Sequence, residues 1–203
     1  SGMIEALDRS IEKIVSALEE NGLTDNTLII FTSDNGGAGY IGLHDINKPY
    51  RGWKLTHFEG GVHVPFFAKW PAKIGKNQIY NKRIHHTDIF STILGAANIE
   101  MPKDIKIDGI DLIPYIVDKK ESEPHTTLYW KNATYQAIIH NDWKLMRSKY
   151  PAKQEFLYDL KIDPYEVVNL ANSKLDIKQV LNTMLDKHIE SMPKPNWPQS
   201  VFM

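Results

Sequence analysis

The apolar run Thr27-Leu28-Ile29-Ile30-Phe31 ends abruptly in Thr32-Ser33-Asp34-Asn35-Gly36-Gly37. A short continuous run rich in β-branched residues suits a strand buried on both faces of a parallel sheet. An acid, an amide and two glycines add little to packing where such a strand stops. They suit a ligand, because in open α/β sheets ligands gather outside the carboxyl ends of strands. A carboxylate beside an amide oxygen offers two hard donors to Ca²⁺ or Mg²⁺. Asp-Asn-Gly is also a favoured turn sequence, so the local pattern alone leaves both readings open.

The flanking sequence fits an α/β unit. Ile4, Leu7, Ile11, Ile14, Val15 and Leu18 recur at helical spacing over 3–20, and Gly22 can close the end. Residues 35–61 hold seven glycines and read as a long loop with tight turns, a length that usually signals function. Val62–Trp70 reads as a strand, with Pro65 marking an edge or irregularity. His86–Asn98 reads as a helix capped by Thr87 or Asp88, burying Ile89, Ile93, Leu94 and Ala97.

The character changes at Asp118–His125, a charged run with a proline. We therefore divide the chain into 1–118 and a smaller C-terminal α+β part, 119–203. Segments 127–131, 135–140, 143–147 and 155–160 are short and strand-like, and predict an antiparallel meander with a turn at His140-Asn141-Asp142. A last helix is expected over 173–190, with Ile177, Val180, Leu181, Met184 and Leu185 on one side. The proline-rich tail from Met192 carries no period and is expected to be irregular.

Composition removes several classes. The chain has 24 basic and 25 acidic residues, so no basic field recruits nucleic acid or an anionic membrane. No apolar run reaches the ~20 residues that span a bilayer. With 0 cysteines there is no disulfide, thiolate metal site or cysteine nucleophile.

A second chemistry-bearing element is Asn47–Pro65, with Arg51, Lys54, His57, Glu59 and His63 set among Gly52, Gly60 and Gly61. Lys54 can pair with an anion as a point charge and Arg51 can do so bidentately. Glu59 can fix a neighbouring cation or cap backbone amides. His57 and His63 fit a structural role better than a catalytic one. Taken alone, the element also reads as a solvated loop of mixed charge.

Together these elements resemble the sulfatase family of the alkaline-phosphatase-like superfamily. The matching pieces run in order: Thr32–Gly37, Lys48–Pro71, His86–Ala97, Ile107–Ile116 and Leu157–Ala171. The resemblance implies an α/β fold: part of an alkaline-phosphatase-like sulfatase sheet with flanking helices, then a small antiparallel sheet packed with a C-terminal helix. It implies sulfate-ester hydrolysis, with Asp34 and Asn35 as metal ligands, usually for Ca²⁺ and alternatively Mg²⁺. Lys54 matches the lysine that contacts the substrate sulfate and helps the leaving group. Glu59, Gly60 and Gly61 match the loop that shapes the pocket, and Arg51 and His57 remain candidate substrate contacts. His63 stands where many members carry arginine, which is a departure. The implied substrate is a sulfated small molecule or glycan, and family habit implies a periplasmic or secreted setting.

The family's nucleophile is a formylglycine made within Cys/Ser-x-Pro-x-Arg. Ser122-Glu123-Pro124 and Ser191-Met192-Pro193 lack that arginine, and the family's early acid pair has no match. The expectation is a C-terminal fragment of a sulfatase, inactive alone, with Ser1-Gly2 foreign to it and an exposed sheet edge prone to self-association. The rival readings are a phosphodiesterase or phosphoglycerol transferase of the same superfamily, and a non-catalytic binding module.

Overall fold

The computed structural model describes residues 2–150 and 152–194. The chain forms two compact units: residues up to Thr32 together with Phe66–Pro124, and Ser33–Pro65 together with the chain from His125 onward. The glycine-rich loop thus clusters with the C-terminal sheet rather than with the strands it connects.

The first unit opens with helix α1, Gly2–Glu20. Its end is a double reversal: Leu23 N donates to Leu18 O at 2.8 Å and Gly22 N to Glu19 O at 3.0 Å, with Gly22 at φ +65°. Glycine is suited there because a Cβ disfavours the left-handed region. The apolar stripe read from the sequence is real, yet no α1 residue is buried, and Met3, Ile4, Leu7 and Ile14 are exposed.

Strand β1, Ile29–Thr32, pairs antiparallel with β2, Phe66–Lys69, with Phe31 opposite Phe67 and ring centroids 6.3 Å apart. This corrects the expectation of a parallel strand buried on both faces. Among the described residues β1 has one strand partner, and its Phe31 is exposed. An apolar run specifies burial but carries no information on the direction of its neighbour. Pro65 lies just before β2, outside its ladder, as its missing N–H requires.

Helix α3, Asp88–Ala96, also buries a different face from the one expected. Its buried residues are Asp88, Ser91 and Thr92, while Ile93 and Ala97 are exposed. The reason is the segment laid against it. Asp88 accepts from Ile110 N at 3.0 Å and His85 N at 2.7 Å. Ser91 donates to Gly109 O at 2.9 Å, and Leu112 N donates to Thr92 Oγ1 at 3.1 Å. A loop needs partners for its backbone, so the helix face it meets is polar. Thr87, at the N-cap position, makes no side-chain cap bond. A single turn, α4 at Ile113–Ile116, follows.

The second unit contains the short helix α2, Glu59–Val62, and the expected meander: β3 Thr127–Lys131, β4 Tyr135–His140, β5 Trp143–Ser148 and β6 Gln154–Asp159, in that order. The β4–β5 turn places Asn141 at φ +51°. Alternation sorts the side chains onto two faces. Ile138, Leu145 and Leu157 pack under Leu181 and Leu185 of helix α5, Leu175–Ser191. Ala137, Ile139, Met146 and Tyr158 face the other way and pack with Phe58. Val180, expected on the inner side of α5, is exposed. The outer edge of β6 is closed by its own sequel: Asn169 Oδ1 accepts from Leu157 N at 3.0 Å, and Leu170 N donates to Leu157 O at 2.8 Å. Such cover protects an edge from foreign strands. Of the tail, 195–203 lies outside the described residues.

Candidate functional site

Asp34–Gly37 follows β1 in the chain and is laced to α2 through backbone alone. Gly36 N donates to Gly61 O at 3.0 Å, and a Cβ on Gly36 would fall 1.8 Å from Gly60 O. Gly60 is closed in the same way, its missing Cβ being 2.5 Å from both Arg51 O and Gly52 O. Three stretches of main chain therefore meet where side chains would keep them apart.

Within this cradle Asp34 is exposed, and its carboxylate makes no ion pair or hydrogen bond among the described residues. Asn35 is half-buried and its Nδ2 donates to Gly36 O at 3.0 Å. That bond leaves Oδ1 as the free acceptor. Two hard oxygens on adjacent residues fit a share of a Ca²⁺ or Mg²⁺ shell, though not all of it, since Ca²⁺ takes about six to eight. Among the described residues no group of three or more acids and histidines gathers as a metal cluster.

Lys54 is brought beside this segment. Its backbone N donates to Gly37 O at 3.1 Å. The side chain of Asn47 bolts the two stretches together. Its Oδ1 accepts from Gly37 N at 2.7 Å, and its Nδ2 donates to Gly37 O and Gly52 O, each at 3.0 Å. Asn47 was not singled out from sequence, where it stands as one more polar loop residue.

Gly52 and Leu55, on either side of Lys54, sit at φ +84° and +82°. For leucine this region costs roughly 1–3 kcal/mol. Leu55 O accepts from Nδ2 of Asn132 at 3.0 Å.

His57 is buried, and Arg51, though an exposed residue, turns its guanidinium onto the aromatic cluster. The Arg51 guanidinium lies 4.3 Å above the Phe58 ring and donates to Tyr158 Oη at 2.8 Å and Glu166 O at 3.2 Å. Burial pushes the Tyr158 hydroxyl up to about 12, against the opposing pull of Arg51. His57 is buried beside Tyr135, and its Nδ1 has no hydrogen-bond partner among the described residues. Burial, and then the charge of Lys144, lower its imidazole to about 4, so it is neutral at pH 7.

Beneath the turn lies a buried charge cluster. Lys144 is 0% exposed, and its Nζ sits 2.7 Å from Glu59 Oε1 and 2.9 Å from Glu166 Oε1. The first contact is an aligned hydrogen bond; the second is an ion pair at a poorer angle. Glu166 Oε2 accepts from Glu59 N at 2.7 Å, and Glu59 Oε2 pairs with His63 Nδ1 at 3.1 Å. Burial would raise Glu59, but Lys144 and then His63 overcome it and hold the carboxyl at about 2. In Glu166 burial wins and the carboxyl is raised. Glu59 does fix a neighbouring cation; its partner, 85 residues away in the chain, is Lys144. The turn that presents Glu166 explains the Leu157–Ala171 segment. Asp163 accepts from Val167 N at 3.0 Å and Val168 N at 2.9 Å, and Glu166 itself sits at φ +59°. Sequence reasoning missed Lys144 and Glu166 as a pair. The one local signal was a charged residue on the face of β5 that also carries Met146.

Two family models match the chain: "Sulfatase" over residues 1–99, and "N-sulphoglucosamine sulphohydrolase, C-terminal" over residues 52–194. The chain belongs to the sulfatase family. An uncharacterized sulfatase of Escherichia coli, YdeN, is 41% identical over 127 residues, covering 63% of this chain and 22% of that protein. The mouse N-acetylgalactosamine-6-sulfatase is 34% identical over 143 residues, covering 70% of this chain and 27% of its own. Among solved structures, Ps i-CgsB in complex with k-i-k-neocarrahexaose superposes with a TM-score of 0.85 at 25% identity, covering 98% of this chain and 44% of that one. This sulfatase chain therefore spans well under half the length of these relatives.

Proposed function

We propose that this chain supplies the metal-side and lysine-side part of a sulfate-ester-hydrolysing site acting on a sulfated glycan. The observation that carries the reading is the bond from Lys54 N to Gly37 O, with Asn47 bridging the same two stretches. It brings a lysine next to a segment that offers two free hard oxygens. Asp34 and Asn35 would hold a divalent cation, which polarises the sulfuryl group when bound. Lys54 would place its ammonium against the oxygen on which charge develops as the S–O bond breaks. Such a charge acts more strongly in a partly dry pocket than in water. Asn47 and the Gly36–Gly60 contact keep the two stretches in register, and the Glu59–Lys144–Glu166 cluster fixes the turn from below. Arg51 and His57 serve this scaffold. The glycan assignment is supported by the names of the relatives: an N-acetylgalactosamine-6-sulfatase, and a structure holding a neocarrahexaose. The formylglycine motif has no match among these 203 residues, so no step is assigned to it, and we expect no turnover from this chain alone.

The reading is tested by titrating the ¹⁵N-labelled chain with inorganic sulfate in the presence of Ca²⁺. Amide shifts are expected at 34–37 on adding Ca²⁺, with a dissociation constant on the order of 10⁻³ M, as for sites poor in ligands. Sulfate then shifts Lys54, and Lys54→Ala abolishes that response. A sulfate response that survives in Lys54→Ala removes the lysine from the site.

A further inference from the structure

We propose that Asn132, on the turn between β3 and β4, is a positioning residue for Lys54, acting by holding Leu55 in its left-handed conformation. The role given to Lys54 rests on the function proposed above; the positioning itself rests on geometry. Leu55 is bulky, and φ +82° crowds its Cβ against the main chain. The turn Trp53–Thr56 accommodates it, with Thr56 N donating to Trp53 O at 3.0 Å and Thr56 Oγ1 to the same oxygen at 2.8 Å, but a β-turn of this kind prefers glycine at the position of Leu55. From outside the turn, Asn132 Nδ2 donates to Leu55 O at 3.0 Å and adds the hold that leucine there needs.

Asn132 is itself fixed. Its Oδ1 accepts from Thr134 N at 2.9 Å and Tyr135 N at 2.7 Å, and its backbone N donates to Tyr135 O at 2.9 Å. With Oδ1 committed to the turn, the amide nitrogen is aimed outward at Leu55. The dipeptide Lys54-Leu55 is then gripped at both ends: its first N–H by Gly37 O, its last carbonyl by Asn132. Releasing the second grip lets Leu55 swing to negative φ. The peptide plane between Lys54 and Leu55 then turns, and the direction of the lysine side chain turns with it. On this account the antiparallel sheet sets the geometry of a lysine 78 positions upstream of Asn132.

The decisive variant is Asn132→Asp. It keeps Oδ1 for Thr134 and Tyr135 but removes the donor and sets a carboxylate against the Leu55 carbonyl. Amide hydrogen exchange of the 203-residue chain should show Lys54 N–H exchanging about tenfold faster, the equilibrium effect of roughly one hydrogen bond. Thr134 and Tyr135 should keep their wild-type rates. Adding Leu55→Gly to Asn132→Asp should restore Lys54 protection, because glycine adopts positive φ without the steric cost. A purely structural Asn132 would not be rescued in this way. In the Leu55→Gly background, Asn132→Asp should leave Lys54 exchange unchanged. The proposal is overturned if Lys54 exchange is unaltered in Asn132→Asp, or if Leu55→Gly fails to restore it. Inorganic sulfate, added to the wild-type chain, reports separately on the functional reading. Intact exchange effects without a sulfate response at Lys54 refute the sulfate role and leave the positioning in place.

Discussion

Lys144→Met is expected to lower the unfolding free energy by about 3–5 kcal/mol, the usual cost of stripping one partner from a buried ion cluster. The expectation follows from what the mutation strands. Glu59 and Glu166 both point at Nζ, at 2.7 and 2.9 Å, and Lys144 is fully enclosed. Without the ammonium, two carboxyl groups face each other, with only the half-exposed His63 ring 3.1 Å from Glu59 Oε2. Packing alone cannot account for such a loss, since methionine fills nearly the same volume. The triple variant Lys144→Met/Glu59→Gln/Glu166→Gln separates the two explanations. It should recover about 2 kcal/mol, because the desolvated charges are gone. Urea unfolding of the three proteins at pH 7 measures both numbers. A loss under about 1 kcal/mol for the single variant, well below the usual cost, would mean that the cluster is not dry.

The second large effect is acid lability. His57 titrates near 6.5 when unfolded and about 4 when folded. A base lowered by folding binds its proton more readily in the unfolded chain. Between pH 6.5 and 4 the unfolded state is therefore stabilised by protonation, and folding stability falls as pH falls. The shift corresponds to about 3 kcal/mol, at 1.36 kcal/mol per unit. Glu59 acts next. Its folded carboxyl lies near 2 against an ordinary 4.5, so its contribution is intact above 4.5 and disappears as pH falls through 2. Glu166 is raised and works in the opposite sense, losing stability as pH rises from 4.5. Between pH 6.5 and 4.5 the two groups therefore oppose each other: as pH falls, His57 weakens the fold and Glu166 strengthens it. Denaturant midpoints measured across that range should drop, relative to those of His57→Phe, as pH falls, the growing difference between the two profiles being the His57 contribution. Parallel profiles for the two proteins would place His57 in contact with water.

The parts of this fold that were legible in the sequence are those whose signal is local. Each strand of the C-terminal meander is a short run of strand-type residues, and the short separations between them leave room only for tight turns. α5 was legible for the same reason, apart from Val180. The first unit was less so. β1 reads as buried because Ile29, Ile30 and Phe31 are apolar, but nothing in those residues names β2 as an antiparallel neighbour. The inner face of α3 was misread because Asp88, Ser91 and Thr92 are buried by backbone groups of Gly109–Leu112, which no periodicity announces.

The site divides along the same line. Asp34, Asn35 and Lys54 stand out because an acid–amide pair at a strand end and a lysine among glycines are locally unusual. Asn47, Asn132, Lys144 and Glu166 do not stand out, because each acts on a partner distant in the chain or through a backbone group. Leu55 carries the least signal of all: its importance is a dihedral angle, and leucine gives no hint of one.

The central claim is that the oxygens of Asp34 and Asn35 share one pocket with the Lys54 amine. Paramagnetic broadening tests it most directly. Surface lysines are ¹³C-methylated, Mn²⁺ is added as the probe cation, and the Lys54 methyl resonance is followed together with the amides of 34 and 35. The account predicts that all three broaden at the same Mn²⁺ concentration, that Lys187 on α5 stays sharp, and that Asp34→Ala abolishes the effect. A Lys54 signal that stays sharp while Asp34 and Asn35 broaden would contradict it.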